Sequence, residues 1–248
     1  MITISPGHWA VGTGAKDLID EVTEARKVAK RVTDLLRKAG ITTNYIEDNT
    51  SKTQLQNIAY LIAQHQKTSR KLDVSVHFNS STGRQQQGLG TEVLYYNNQI
   101  LASKLNNSIA QATGLRSRGA KQRQELAFLR NFKSGILLEI CFVNSTVDVE
   151  LYRKNFDALC SSIAKELALY VGRQIDTKKD VRKMIFSSPA LQSQTETTLA
   201  SAARRQLIID AAVAAGANKT VWQKKLEDGT ITNDDLLGLA VKAIIDKK

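Results

Sequence analysis

Gly135-Ile-Leu-Leu-Glu-Ile-Cys-Phe-Val143 is an almost unbroken run of apolar, strand-forming residues. A strand of this kind is covered on both faces, as the central strand of a sheet layered between helices is. The charge inside it, Glu139, needs a reason. An ionised carboxylate in an apolar strand is costly unless it is paired or bound to a metal. Two readings stand here. One is an internal ion pair with a basic residue. The other, which we prefer, is a carboxyl whose burial raises its pKa and suits it to proton transfer. Cys141 has no basic neighbour to activate it and reads as a small core thiol. Period-two alternation also puts it on the face of Glu139, where it would line the same cleft.

Working outward from this strand, the pattern alternates. Thr91–Tyr96 and Leu72–Phe78 read as strands, and residues 99–112 as a helix. Residues 53–66 read as a helix with Leu55, Ile58, Ala59 and Ile62 on its apolar face. Ala25, Val28, Ala29, Val32, Leu35 and Leu36 form one stripe in a helix from Glu21 to Ala39, with Gly40 as its C-terminal stop. Residues 1–5 and 41–46 read as strands, and a long helix from Val147 to Val171 closes the unit. Strands alternating with helices predict an α/β domain over residues 1–175, built on a twisted, mostly parallel or mixed sheet flanked by helices.

Beyond it the texture changes. Asp176-Thr-Lys-Lys-Asp-Val-Arg-Lys183 is polar and charged, and residues 176–187 read as a linker. Residues 188–248 read as a small all-α module. Its helices are expected at Ala200–Ala215 (with Leu207, Ile208 and Val213), around Trp222 and Leu226 up to Gly229, and after the capping sequence Thr232-Asn-Asp-Asp235. A bundle of this size is marginal alone.

Composition narrows the function. The 248 residues carry a net charge of +11, which favours polyanionic partners without choosing among nucleic acid, membrane and cell wall. The basic residues are scattered rather than gathered with aromatics, so no nucleic acid is expected. No apolar run reaches the ~20 residues of a membrane span. Two cysteines are too few for a disulfide framework or a Cys-rich zinc ribbon. The start Met-Ile-Thr-Ile-Ser-Pro-Gly-His lacks the features of a secretory signal, so synthesis in the cytoplasm is expected.

The three histidines are weighed singly. His8 follows a strand in a Pro-Gly turn, a usual place for a functional loop, though an isolated histidine is more often structural. His77 ends a strand on which Asp73, Ser75 and His77 share a face; it reads equally as a ligand or as a hydrogen-bonded edge residue. His65, in Ala-Gln-His-Gln-Lys-Thr, reads as solvent-facing at a helix end. Glu21 or Glu24 could add a carboxylate from the first helix. There is no HExxH, phosphate-binding loop or nucleophile elbow.

Taken in order, these residues resemble a family. Pro6-Gly7-His8, Gly14-Ala15, and Glu21 opening a helix that ends at Gly40 are similar to the start of the zinc-dependent N-acetylmuramoyl-L-alanine amidases of the amidase-3 type. Ser75-Val-His77-Phe-Asn79, Gly90-Thr-Glu-Val-Leu-Tyr-Tyr96 and Leu138-Glu139-Ile-Cys-Phe142-Val-Asn144 resemble its later segments, over residues 1–175. The resemblance implies that His8, Glu21 and His77 bind Zn2+, with Glu24 the second choice for the helix ligand. It implies that Glu139 is the general base and acid, and that Asn79 contacts substrate. The implied reaction is hydrolysis of the amide between N-acetylmuramic acid and L-alanine in peptidoglycan; a zinc peptidase cutting within the stem peptide is the runner-up. Ser5, Trp9 and Cys141 depart from the family pattern, where an acidic residue and two glycines are usual, which puts pocket shape in question. The layout resembles a phage endolysin made in the host cytoplasm and acting on the wall after release. By that analogy the C-terminal module binds peptidoglycan and anionic wall polymers; dimerisation through the helical tail is the alternative.

Overall fold

The computed structural model describes residues 1–175, 193, 197–199, 201–228 and 231–245. They fall into two units, each taken by itself. The expected linker, 176–187, and Gly229 lie outside the described residues.

The first unit runs β1 (Ile2–Pro6), α1 (Glu21–Lys38), β2 (Thr43–Tyr45), α2 (Gln54–Gln66), β3 (Leu72–Asn79), β4 (Thr91–Tyr95), α3 (Gln99–Thr113), β5 (Ser117–Gln122), α4 (Ala127–Asn131), β6 (Ile136–Phe142), α5 (Thr146–Lys154) and α6 (Phe156–Tyr170). The six strands form one sheet in the order β2-β1-β3-β6-β4-β5. Every neighbouring pair is parallel except β4 and β6. The mixed α/β sheet flanked by helices is thus as expected, and β6 lies at its centre.

Alternation divides the sheet into an apolar face and a largely polar one. Ile4, Val74, Val76, Ile136, Leu138 and Ile140 share a core with Val28, Val32 and Leu36 of α1, Leu105 and Ile109 of α3, and Ile163 and Leu167 of α6. On the other face Leu94 and Leu137 meet Phe128, Leu129 and Phe132, with Ile62 of α2 against them. That face also carries Ser5, Asp73 and Ser75, all buried. α2 buries Asn57, Leu61 and His65, while Leu55, expected on the apolar side, is 78% exposed. A helix over a polar stripe turns polar residues towards it.

His65 is therefore not solvent-facing. It is fully buried, with Nδ1 2.7 Å from Asp73 Oδ1 and Nε2 3.1 Å from Ser5 Oγ, and its ring packs beside Phe128 and Phe132. Cys141 does not line the cleft either. His77 pairs with Glu139 but Asn79 with Phe142, so β6 carries an extra residue between them. This bulge breaks the alternation and drops both Ile140 and Cys141 into the core. Burial pushes the Cys141 thiol up, with Asp148 and Glu24 adding to the effect.

The expected long closing helix is two helices. Asn155 caps the end of α5 and opens α6, and its Nδ2 donates to the carbonyls of Thr113 and Leu151. The short polar strand β5 and helix α4 had no clear apolar period to reveal them.

In the second unit α7 (Ala202–Ala214), α8 (Lys219–Glu227) and α9 (Asn233–Ile245) lie close to their expected positions. Ile209, Ala212, Leu236, Leu239 and Ala243 form its core, with Trp222 and Leu226 against them; Leu207 faces outward. Thr232 Oγ1 accepts from Asp235 N while Asp235 Oδ2 accepts from Thr232 N, a reciprocal cap at the start of α9. No helix among the described residues is long and apolar enough to cross a membrane.

Candidate metal centre

The site lies at the carboxyl ends of β1, β3 and β6, where open α/β sheets place their ligands. His8 follows β1 and His77 lies near the end of β3, with Gly7 N donating to Val76 O to hold the two strands together. Glu21 is the first residue of α1. Asp20 caps that helix by accepting from Thr23 N, and its other oxygen accepts from Gly12 N.

These elements bring His8, Glu21 and His77 together, one ligand atom from each, all within 4.8 Å of one another. His8 Nε2 lies 3.1 Å from Glu21 Oε2, and His77 Nδ1 lies 2.9 Å from Glu21 Oε1. The same carboxylate accepts from Ala15 N at 2.7 Å and Phe78 N at 3.2 Å. Glu21 is buried, which alone would raise its pKa; hydrogen bonds from His77 and His8, and their charge, outweigh this and hold the carboxyl far below its usual range. Two imidazoles and an ionised carboxylate converging on one point are a donor set suited to a tetrahedral cation with an open position. Glu24, the alternative ligand, points elsewhere. It accepts from Tyr152 OH at 2.7 Å and pairs with Lys27 at 2.8 Å.

Glu139 stands beside this cluster, paired across the sheet with His77 on one side and Glu92 on the other. Its Oε2 is buried and makes no hydrogen bond. Desolvation, then the charges of Glu21 and Glu92, push its carboxyl well above the usual range, against an opposing pull from Arg123. The internal ion pair considered for Glu139 does not form. The neighbouring ion cluster belongs instead to Glu92, whose carboxylate accepts from Arg118 Nε at 2.6 Å, Lys121 Nζ at 2.5 Å and Asn79 Nδ2 at 3.1 Å. Burial opposes its ionisation, but Lys121 and Arg118 lower its pKa overall. Asn79 is thereby committed to protein partners, since its Oδ1 also accepts from Ser80 N. Glu92 was missed in the sequence, although a charge inside Thr91-Glu-Val-Leu-Tyr95 is the same signal that marked Glu139.

An open pocket lies next to His8 and His77. Asn57, Leu61, Leu126 and Phe128 contribute to its walls. A reacting group held at the cluster would have apolar surface on this side and the Glu139–Glu92 row on the other.

A family model described as N-acetylmuramoyl-L-alanine amidase matches residues 2–171. A Clostridium perfringens protein described as uncharacterised is 30% identical over 171 residues, covering 66% of this chain and 50% of its own length. A second, an uncharacterised 38.4 kDa protein of Clostridium perfringens, is 28% identical over 190 residues, covering 71% and 53%. The chain spans about half the length of the curated relatives it matches. Among solved structures, the catalytic domain of the CD27L endolysin targeting Clostridia difficile superposes with a TM-score of 0.62 at 25% identity, covering 71% of this chain and 98% of that one. The amidase AmiC2 of Nostoc punctiforme gives 0.60 at 25% identity, covering 69% and 97%.

Proposed function

We propose, for a chain that belongs to the N-acetylmuramoyl-L-alanine amidase family, that it is a zinc hydrolase cutting the amide between N-acetylmuramic acid and L-alanine in peptidoglycan. The observation that carries this reading is the convergence of His8, Glu21 and His77 beside a buried carboxyl with an unpartnered oxygen. Zinc held by these three residues would acidify a water molecule and polarise the scissile carbonyl. Glu139 takes the proton of the attacking water and delivers it to the departing amide nitrogen. Its burial and the neighbouring Glu21 and Glu92 charges raise the proton affinity of this carboxylate, which suits it to take up that proton and carry it to the nitrogen. Glu21, held ionised, would supply the oxygen ligand beside the two imidazole nitrogens. Asn79, expected to contact substrate, would act with its remaining amide N–H.

The similarity to the CD27L endolysin catalytic domain supports a lytic role at the wall after release from the host cytoplasm. The helical unit would then retain the enzyme on the wall.

The test is mass spectrometry of purified peptidoglycan after digestion. Free lactyl-bearing glycans with intact stem peptides are expected; new termini inside the stem would make the enzyme a peptidase instead. Glu139→Gln should keep zinc and lose activity by about 10²–10⁴-fold, whereas His77→Ala should lose zinc as well. Normal lysis by Glu139→Gln would overturn the assigned role.

A further inference from the structure

His8 has φ 62°, the only positive value at a non-glycine position among the described residues. A residue with a Cβ stays in this left-handed region only where its surroundings enforce it. Two side chains do so from different helices. Asn57 of α2 donates through Nδ2 to His8 O at 3.1 Å. Arg26 of α1 donates through Nη2 to Trp9 O at 2.7 Å. Consecutive carbonyls are thus held from two directions, and the peptide between them cannot rotate freely.

Both donors are tied to one loop. Asn57 Nδ2 also reaches Asp48 Oδ2 at 2.9 Å. Arg26 Nη2 also reaches Asp48 O and Asn49 Oδ1, each at 2.9 Å, and its Nη1 lies 3.4 Å from Glu47 Oε1. Asp48 is fully buried and its other oxygen accepts from Thr50 N, Thr50 Oγ1 and Ser51 N. Asn57 is buried as well. A buried amide that spends one group on an anchored carboxylate and on a strained carbonyl has a defined orientation.

We propose that Asn57 and Arg26, joined through Asp48, are positioning residues that clamp the carbonyls of His8 and Trp9 and so fix the His8 imidazole for metal. The proposal rests on reading His8 as a ligand. The direction of its ring follows from its backbone. Gly7, which precedes it, offers no side chain to steady the loop and packs bare against the His77 ring. Such outer supports commonly contribute 10- to 100-fold to metal affinity.

The test is zinc affinity of the full chain, measured by competition with a chromogenic chelator, with the thermal midpoint of each metal-free variant recorded in parallel. Asn57→Ala should weaken zinc binding by about 10- to 100-fold in protein that is still folded at the assay temperature. Arg26→Lys, which keeps the charge but loses the fork, and Asp48→Asn should weaken it in the same direction. Leu55→Ala, exposed on the same helix, should leave affinity unchanged. Should Asn57→Ala not fold, Arg26→Lys and Asp48→Asn decide. Folded variants with lower thermal midpoints but wild-type zinc affinity would overturn the clamp and leave the amidase reading intact. A wild-type chain that binds no zinc would overturn the ligand assignment itself.

Discussion

A Cβ built on Gly7 would stand 2.0 Å from His77 Cε1, and one on Gly14 would stand 2.6 Å from Glu21 Oε2 and 2.7 Å from His8 Cδ2. The candidate ligands are packed against bare backbone, so these two glycines shape the centre as directly as the ligands do. Gly7→Ala must move either the His77 ring or the β1–β3 junction. Zinc affinity should fall by about 10- to 100-fold, the loss typical of outer-support changes; wild-type affinity would contradict the packing. Neither requirement was visible from Pro6-Gly7-His8 alone, where Gly7 reads as a turn residue. Glu139 was legible because an apolar strand makes a charge conspicuous. His65 was not, because its neighbours are polar and its partners Asp73 and Ser5 arrive from strands of the sheet beneath its helix.

At the scale of elements, β6 and α2 show where periodicity suffices and where it misleads. β6 was readable because both faces of a central strand are covered, so apolar content alone identifies it. Its bulge was not, since one extra residue leaves composition unchanged and reverses only the parity beyond it. α2 was placed correctly and rotated wrongly. Its apolar residues suggest one face, yet the sheet beneath it offers Ser5, Asp73 and Ser75. The two leucines of this helix separate the readings. Leu61→Ala should cost about 2–5 kcal/mol in urea unfolding, as a buried leucine does. Leu55→Ala should stay within about 0.5 kcal/mol, as surface changes do. A larger cost at Leu55 than at Leu61 would mean that the helix sits as the sequence suggested.

For the whole molecule, the distribution of charge bears on how the enzyme would meet a wall. Residues 182–248 carry ten Lys and Arg against seven Asp and Glu, so most of the +11 belongs to the first unit. Any electrostatic attraction to anionic polymers would thus come mainly from the first unit, and it would be screened by salt within about 8 Å at physiological ionic strength. A wall-binding role for the helical unit requires something beyond charge. Residues 1–181 alone should therefore still adsorb to isolated walls at low salt and release at about 0.5 M salt, a concentration at which the Debye length drops to a few ångströms. The full chain should retain a salt-resistant fraction. Cosedimentation at both salt levels reads this directly, and identical salt release of the two proteins would remove wall binding from the helical unit.

Local pattern determined a good deal of this protein. The buried central strand, the alternation of strands and helices, the capped start of α9, the buried carboxyl at Glu139 and the ordered segments holding His8, Glu21 and His77 all follow from composition, period or motif. These are properties of neighbouring residues, and the chain carries them wherever it folds. Tertiary structure decided the rest. It set Glu21 and not Glu24 beside both imidazoles, since Glu24 turns to Tyr152. It buried His65, withdrew Cys141 into the core, set Glu92 beside Glu139 and hung the strained His8 backbone from Asn57 and Arg26. Each outcome depends on which surface lies across from a side chain, and strand register and helix rotation, not local sequence, set that.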